Sequence, residues 1–235
     1  MTQLITNASN EQRIYEELCN VYPNDIEPIT TISENILAGR NFIISSHLAL
    51  NYDKVMNCAP CYTFTSDEKS PDAIFLHEDT LYFVEFKDGQ KPDKTDVRGK
   101  IHEGINTLFH FAKQRIALRR REFLNLRIIY VVFRRPNRNR FLNAIQTASY
   151  GFNLKNLEGL LVRKTAVSDD PQYVADFFHR ITSGVVTQIE IFDHNGSGIN
   201  TTYRGTPPLV PNPRNSSSTR ITNNPLPPTA GNSTV

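Results

Sequence analysis

The stretch SPDAIFLHEDTLYFVEFKDG, residues 70–89, decides how the rest of the chain is read. Two β-rich runs, Ala73 to Leu76 and Leu81 to Lys87, flank the short connection His77-Glu78-Asp79-Thr80, which is the pattern of a hairpin. A turn centred between Glu78 and Asp79 pairs His77 with Thr80, Leu76 with Leu81, Ile74 with Phe83 and Asp72 with Glu85. Glu-Asp is a weaker turn signal than Asn-Gly, and a slip of one residue would send Asp72 and Glu85 to different faces. In the second strand Tyr82, Val84 and Phe86 point one way, and Leu81, Phe83, Glu85 and Lys87 the other. Both faces are apolar as far as Glu85, so the strand is expected to be central, with charges at one end of a buried surface.

Buried charge is costly unless paired. One reading is a salt bridge in which Lys87 neutralises a carboxylate. The other is that Asp72 and Glu85 hold a hard divalent cation. Mg²⁺ takes oxygen ligands and often binds through one or two carboxylates plus substrate phosphates. Such an ion activates water and stabilises charge on a phosphoryl group, with the lysine orienting or deprotonating that water, or stabilising the phosphate.

Outward from the hairpin, Asp96 to Leu118 is predicted to be a long helix with Val97, Ile101, Ile105, Leu108, Ala112 and Ile116 as its apolar stripe. Leu126 to Phe133 is almost wholly apolar, as a fully buried strand should be. Glu11 to Tyr22 reads as a short helix. Thr31-Ile-Ser-Glu34 has capping-box spacing, which predicts a second helix running to about Lys54. Cys61 to Ser66 has strand character, Arg138 to Tyr150 helical character, Leu157 to Ala166 strand character, and Pro171 to Thr182 reads as a final helix. This order predicts an α/β domain with a central mixed β-sheet flanked by helices. The expected organisation is an N-terminal helical extension over 1–30, a core domain over 31–194 and a disordered tail over 195–235. The tail carries seven of the fourteen prolines and no acidic residue, a composition that does not support a packed core.

Charge is uneven along the chain. The formal net charge is +2, yet Arg98 to Arg140 holds twelve Lys or Arg against Glu103 and Glu122. A block this basic is the usual footprint of a polyanion, although a solvated helix face has the same composition. Arg98, His102 and Lys113 lie away from the apolar stripe of the long helix. Arg119, Arg120, Arg121, Arg134 and Arg135 complete the candidate phosphate contacts. No run of about 18 or more apolar residues occurs, so no membrane partner is expected. Three cysteines and the absence of a signal-like start point to an intracellular, cytoplasmic protein. Cys58-Ala-Pro-Cys61 has zinc-ligand spacing without a second pair. His47 reads as a core histidine or a metal ligand, and Asp53 and Asp88 have no evident partner. No Walker loop, GxSxG elbow or GxGxxG fingerprint appears.

Pro71-Asp72 followed by Glu85-Phe86-Lys87 resembles the PD-(D/E)xK motif of the restriction-endonuclease-like nuclease superfamily. The resemblance covers roughly residues 31–165. It implies a restriction-endonuclease-like core and Mg²⁺- or Mn²⁺-dependent hydrolysis of phosphodiester bonds, with DNA the expected substrate. Asp72 and Glu85 would be metal ligands, the Phe86 backbone carbonyl a further ligand, and Lys87 the catalytic lysine. An acidic residue on the first core helix would complete the set: Glu34 is the candidate, unless it only caps its helix, with Glu16 and Glu17 as alternatives if the core begins earlier. Two alternatives stand beside this reading: a non-catalytic nucleic-acid-binding or assembly protein of the same fold, and an RNA-cleaving member. A homodimer, and a partner protein docked on the Pro-rich tail, are left open.

Overall fold

A computed structural model describes residues 8–58, 69–89, 93–137 and 152–205. Its centre is the hairpin of β4 (Ala73–His77) and β5 (Thr80–Lys87). The pairs are those expected, His77 with Thr80 through Ala73 with Val84. Glu78 and Asp79 both have positive φ, 45° and 52°, as a two-residue type I′ turn requires of its central residues.

Around the hairpin the chain builds a six-stranded mixed sheet. Its other strands are β1 (Ile26–Pro28), β3 (Leu48–Asn51), β6 (Ile128–Arg134) and β7 (Lys164–Ser168), in the order β1-β3-β4-β5-β6-β7. The β1-to-β5 side is antiparallel, whereas β5–β6 and β6–β7 are parallel. All seven residues of β6 are buried, which fits a strand with neighbours on both edges and cover on both faces.

The long helix α3 (Lys94–Arg115) makes the crossover from β5 to β6, with Asp93 capping its first turn at Thr95 N–H. Together with α1 (Asn10–Val21) it covers one face, burying Val97, Ile101, Leu108, Ile14 and Leu18 against Ile74, Leu81, Phe83, Tyr130 and Val132. The opposite face carries Phe75, Tyr82, Val84, Ile129, Val131 and Phe133. They pack against the last helix, α5 (Pro171–Ile181), and a second, three-stranded antiparallel sheet. That sheet joins β2 (Ile43–Ile44), β8 (Gln188–Phe192) and β9 (Gly198–Thr202) in the order β2-β8-β9. Two one-turn helices complete the description, α2 (Ile29–Ile32) and α4 (Arg120–Phe123).

The architecture is thus α/β with a mixed central sheet flanked by helices, and four local expectations are corrected. The strand read at Leu157–Ala166 begins only at Lys164. The capping box at Thr31–Glu34 starts no helix. Instead α2 ends there, and Ser33 Oγ accepts the Ile43 N–H at 3.2 Å. Phe42-Ile43-Ile44 and Leu48-Ala49-Leu50 find partners in the two sheets, and that pairing overrides local helix preference. Residues 8–30 are no appendage, because Ile14 and Leu18 are fully buried in the main core and β1 pairs with β3. Nor does the tail begin at 195, since β9 pairs with β8 along its length. The strand read at Cys61–Ser66, the helix read at Arg138–Tyr150 and the tail beyond Gly205 lie outside the described residues. Among the described residues no helix is long and apolar enough to cross a membrane.

Candidate active site

Sheet geometry explains why Asp72 and Glu85 meet. Leu81 N–H donates to the Arg127 carbonyl at 2.8 Å, and the Lys87 carbonyl accepts the Arg135 N–H at 3.0 Å. Odd residues of β5 therefore turn their peptide groups toward β6 and even ones toward β4. Continuing the β4–β5 register past Asp72 and Glu85 brings Pro71 opposite Phe86. Proline has no N–H to give the Phe86 carbonyl, so the ladder stops. The Phe86 N–H is taken by the Asp72 carboxylate, at 2.5 Å to Oδ2. Asp72 is held at its backbone as well, its carbonyl accepting the Tyr52 N–H at 2.9 Å.

Glu85 is completely buried. Lys87 Nζ lies 2.8 Å and Lys100 Nζ 3.0 Å from its Oε1. Its Oε1 is thus held by two ammonium groups, while Oε2 has no hydrogen-bond partner among the described residues. Burial, and then the nearby Asp72 carboxylate, push the Glu85 carboxyl up to about 8 against the pull of Lys100 and Lys87. A carboxyl held so far above its usual range favours further positive charge beside it, whether a proton or a cation.

Lys100 reaches in from α3, its Nζ 2.8 Å from Asp72 Oδ1. It thereby bridges the two acids that the register opposes and offsets their repulsion. Lys87 also binds Asp96 Oδ2 at 2.7 Å, and Lys69 binds Asp96 Oδ1 at 2.8 Å. Asp53 accepts a hydrogen bond from the buried Ser70 hydroxyl at 2.8 Å. Desolvation of its inner edge, followed by the Asp72 charge, holds Asp53 above the usual carboxylate range. Helix α3 is anchored over this cluster by Tyr52 Oη donating to the Gly104 carbonyl at 2.9 Å and Tyr130 Oη to the Val97 carbonyl at 3.1 Å.

Asp72, Glu85 and Lys87 are thus brought together. Glu34 is not: it is exposed just past α2, and the helix expected to carry it toward the sheet is absent. Lys100 and Asp96 are the residues that sequence reasoning missed, and Asp53, which had no evident partner, joins them. The available signal was Lys100 four residues before Gly104, on the flank of the apolar stripe. A Cβ on Gly104 would stand 2.6 Å from Pro71 Cδ, so that flank of the helix lies directly against the motif.

The candidate phosphate contacts separate into groups. At about 100° per residue, His102 and Lys113 fall roughly 140–160° around α3 from Lys100, on its opposite flank. Arg98 donates to the Asn153 carbonyl at 2.6 Å. Arg119, Arg120 and Arg121 are exposed beyond the far end of α3. Arg134 and Arg135 are a correction: only 2% and 1% of their surfaces are exposed, which leaves no face for phosphate. Arg135 binds Asp88, the Asn41 carbonyl at 2.8 Å and the Phe192 carbonyl at 3.1 Å. Asp88, which had no evident partner, also accepts from Asn35 at 2.7 Å and Arg40 at 3.1 Å. His47 is half-buried between β2 and β3, in an open groove with Val186 and Gln188. Cys61, half of the zinc-like pair, lies outside the described residues.

Among the described residues no group of three or more His, Cys, Asp or Glu side chains is arranged to hold a metal ion jointly. The donors expected from the sequence, the Asp72 and Glu85 carboxylates and the Phe86 carbonyl, would all be hard oxygen. No protein-family model, curated protein or solved structure matches this chain.

Proposed function

We propose that the chain is a divalent-metal-dependent nuclease hydrolysing phosphodiester bonds, with DNA as its first candidate substrate, in a restriction-endonuclease-like variant of this α/β architecture. The observation that carries the reading is Glu85: a carboxylate with no exposure, whose Oε1 meets two ammonium groups and whose Oε2 has no hydrogen-bond partner among the described residues, facing Asp72 where Pro71 ends the ladder. A purely structural ion pair gains little from such burial, because desolvation offsets the attraction. A site for a cation and a phosphate would put two such carboxylates to use.

Asp72, Glu85 and the Phe86 carbonyl would hold Mg²⁺ or Mn²⁺, and their chemistry fits a hard cation of modest coordination demand. When bound, such an ion lowers the pKa of water and stabilises charge on a phosphoryl group. The remaining work belongs to the chain. The Asp72 carboxylate is aimed by its bond to the Phe86 N–H. Lys87, braced between Glu85 and Asp96, presents an ammonium that orients an attacking water and offsets negative charge on the phosphate. The wall of α3 limits water on one side. Arg119, Arg120 and Arg121 offer affinity for a polyanion without sequence discrimination. Lys100 to Arg115 spans about 23 Å of helix, so a strand contacting both ends would cover roughly seven base steps.

A second reading, a non-catalytic nucleic-acid-binding protein, is favoured by one feature: Lys87 and Lys100 together already neutralise both acids. Incubation of the purified chain with plasmid, linear DNA and RNA, in Mg²⁺, Mn²⁺ or EDTA, separates the two. Metal-dependent cleavage supports the nuclease. Salt-sensitive binding with no cleavage in any metal supports the second reading.

A further inference from the structure

The Lys100 ammonium sits on the oxygens a metal would need. Its Nζ is 2.8 Å from Asp72 Oδ1 and 3.0 Å from Glu85 Oε1, joining carboxylates carried by two different strands. That is the bridging position of a divalent cation, filled by the protein itself. A doubly charged ion and an ammonium compete for those two atoms, because like charges a few ångströms apart inside a protein repel. The lysine has somewhere to go. Its stem is four flexible carbons, and its side chain keeps 17% of its surface exposed, unlike the sealed Glu85.

Resting on the metal-site reading above, we propose that Lys100 is an exchangeable internal counter-cation. It closes the Asp72–Glu85 seat when no divalent ion is bound and swings out when one enters. Two consequences follow from charge balance. Entry of the metal is opposed by Lys100, so the seat binds ions more weakly than its two carboxylates would alone. The displaced ammonium then needs an anion: Asp53, whose charge already acts on Lys100, is one, and a phosphate of a bound nucleic acid is a second that reaches it only in the complex. Metal and phosphate therefore strengthen each other's binding through Lys100, and by linkage the effect is equal in both directions. Lys87 differs, because its second partner, Asp96, retains it when Glu85 turns to the metal.

The test measures Mn²⁺ binding to the full chain by the loss of the free-ion electron spin resonance signal, with no activity readout. Wild type, Lys100→Met and Glu85→Gln are compared, each checked for folding by thermal melt. The inference expects Lys100→Met to bind Mn²⁺ at least about tenfold more tightly than wild type, a difference of about 1.4 kcal/mol, and Glu85→Gln to bind at least tenfold more weakly. If Glu85→Gln loses binding while Lys100→Met binds no better than wild type, the seat stands and the role of Lys100 falls. If neither wild type nor Lys100→Met binds, or Glu85→Gln binds as wild type does, the metal-site reading falls and takes the Lys100 role with it. Should Lys100→Met fail to fold, the side-chain ¹⁵Nζ resonance of Lys100 in the wild-type protein gives the answer. It moves on Mg²⁺ addition if the lysine leaves its carboxylates, and an unmoved resonance at saturating Mg²⁺ overturns the inference.

Discussion

Gly104→Ala tests whether the closeness of α3 to the motif matters. The added Cβ would lie 2.6 Å from Pro71 Cδ, 3.4 Å from Pro71 Cγ and 3.5 Å from Tyr52 Cε1. Carbon atoms rest at about 3.5–4.0 Å, so helix and proline must part by about 1 Å. Neither yields cheaply. Pro71 is a rigid ring joined to Asp72, and α3 is tied down at the Gly104 and Val97 carbonyls by Tyr52 and Tyr130. Overpacking of this kind costs about 1–3 kcal/mol, against roughly 1 kcal/mol gained by replacing glycine inside a helix. At about 2–4 °C per kcal/mol for a chain of this size, the melting temperature should stay level or fall by up to roughly 8 °C. Cleavage is the more sensitive readout. Pushing Pro71 off α3 carries the adjoining Asp72 out of place against Glu85, and a misplacement of about 1 Å in a reacting site costs on the order of 100-fold. A thermal melt and a single-turnover cleavage assay on the same preparation decide it. A higher melting temperature with undiminished cleavage would refute the reasoning, since the helix would then have room for a methyl group.

Lys87→Met should abolish cleavage while leaving Mn²⁺ binding at least as strong as in wild type; unchanged cleavage would remove Lys87 from the chemistry. Asp88→Asn leaves the buried Arg135 without its carboxylate and should cost about 3–5 kcal/mol at neutral pH, measured by urea titration. Burial alone would raise the Asp88 carboxyl, but Asn35, Arg135 and Arg40 outweigh it and hold the group below its usual range. Its contribution is therefore present above about pH 4, the unfolded value, and is lost as pH falls through the lowered folded value. The variant should accordingly lose less stability than wild type on acidification, and an identical acid limb would contradict this. Replacing Arg119, Arg120 and Arg121 by Ala should weaken DNA binding and make its log–log salt slope shallower by up to about 3. An unchanged slope would mark the cluster as solvated charge only.

The hairpin was legible because strand periodicity assigns faces without ambiguity. Leu81, Phe83 and Glu85 fall on the α3 side, and Tyr82 and Val84 on the other, as alternation alone requires. Helix α3 was legible for the equivalent reason at helical period. Residues 29–51 were not, because Ile-rich runs such as Phe42-Ile43-Ile44 fit a buried helix or a buried strand equally well. Only contact with β8 and β4 decides between them. Arg134 and Arg135 looked like surface charge because they follow an apolar strand. The parallel register sets Lys87 beside Arg134, which carries Asp88 next to Arg135, a pairing invisible until the strand order is known. Lys100 stayed hidden for a similar reason: its partners lie on β4 and β5, and no spacing within α3 announces them. The strand Gly198–Thr202 is short, polar and largely exposed, so composition alone made it resemble a tail.

The central claim is that Glu85 serves a metal-assisted cleavage rather than a structural ion pair. The most direct measurement is the single-turnover rate constant for cleavage in Mn²⁺ by wild type and Glu85→Gln, side by side. Both preparations are first matched by thermal melt. Gln keeps the size of the side chain and removes its charge, so the fold should survive while the cation seat does not. The account predicts metal-dependent cleavage by wild type and a rate at least about 100-fold lower in the variant. Cleavage by Glu85→Gln within tenfold of wild type, or no cleavage by wild type in any divalent metal, would contradict it.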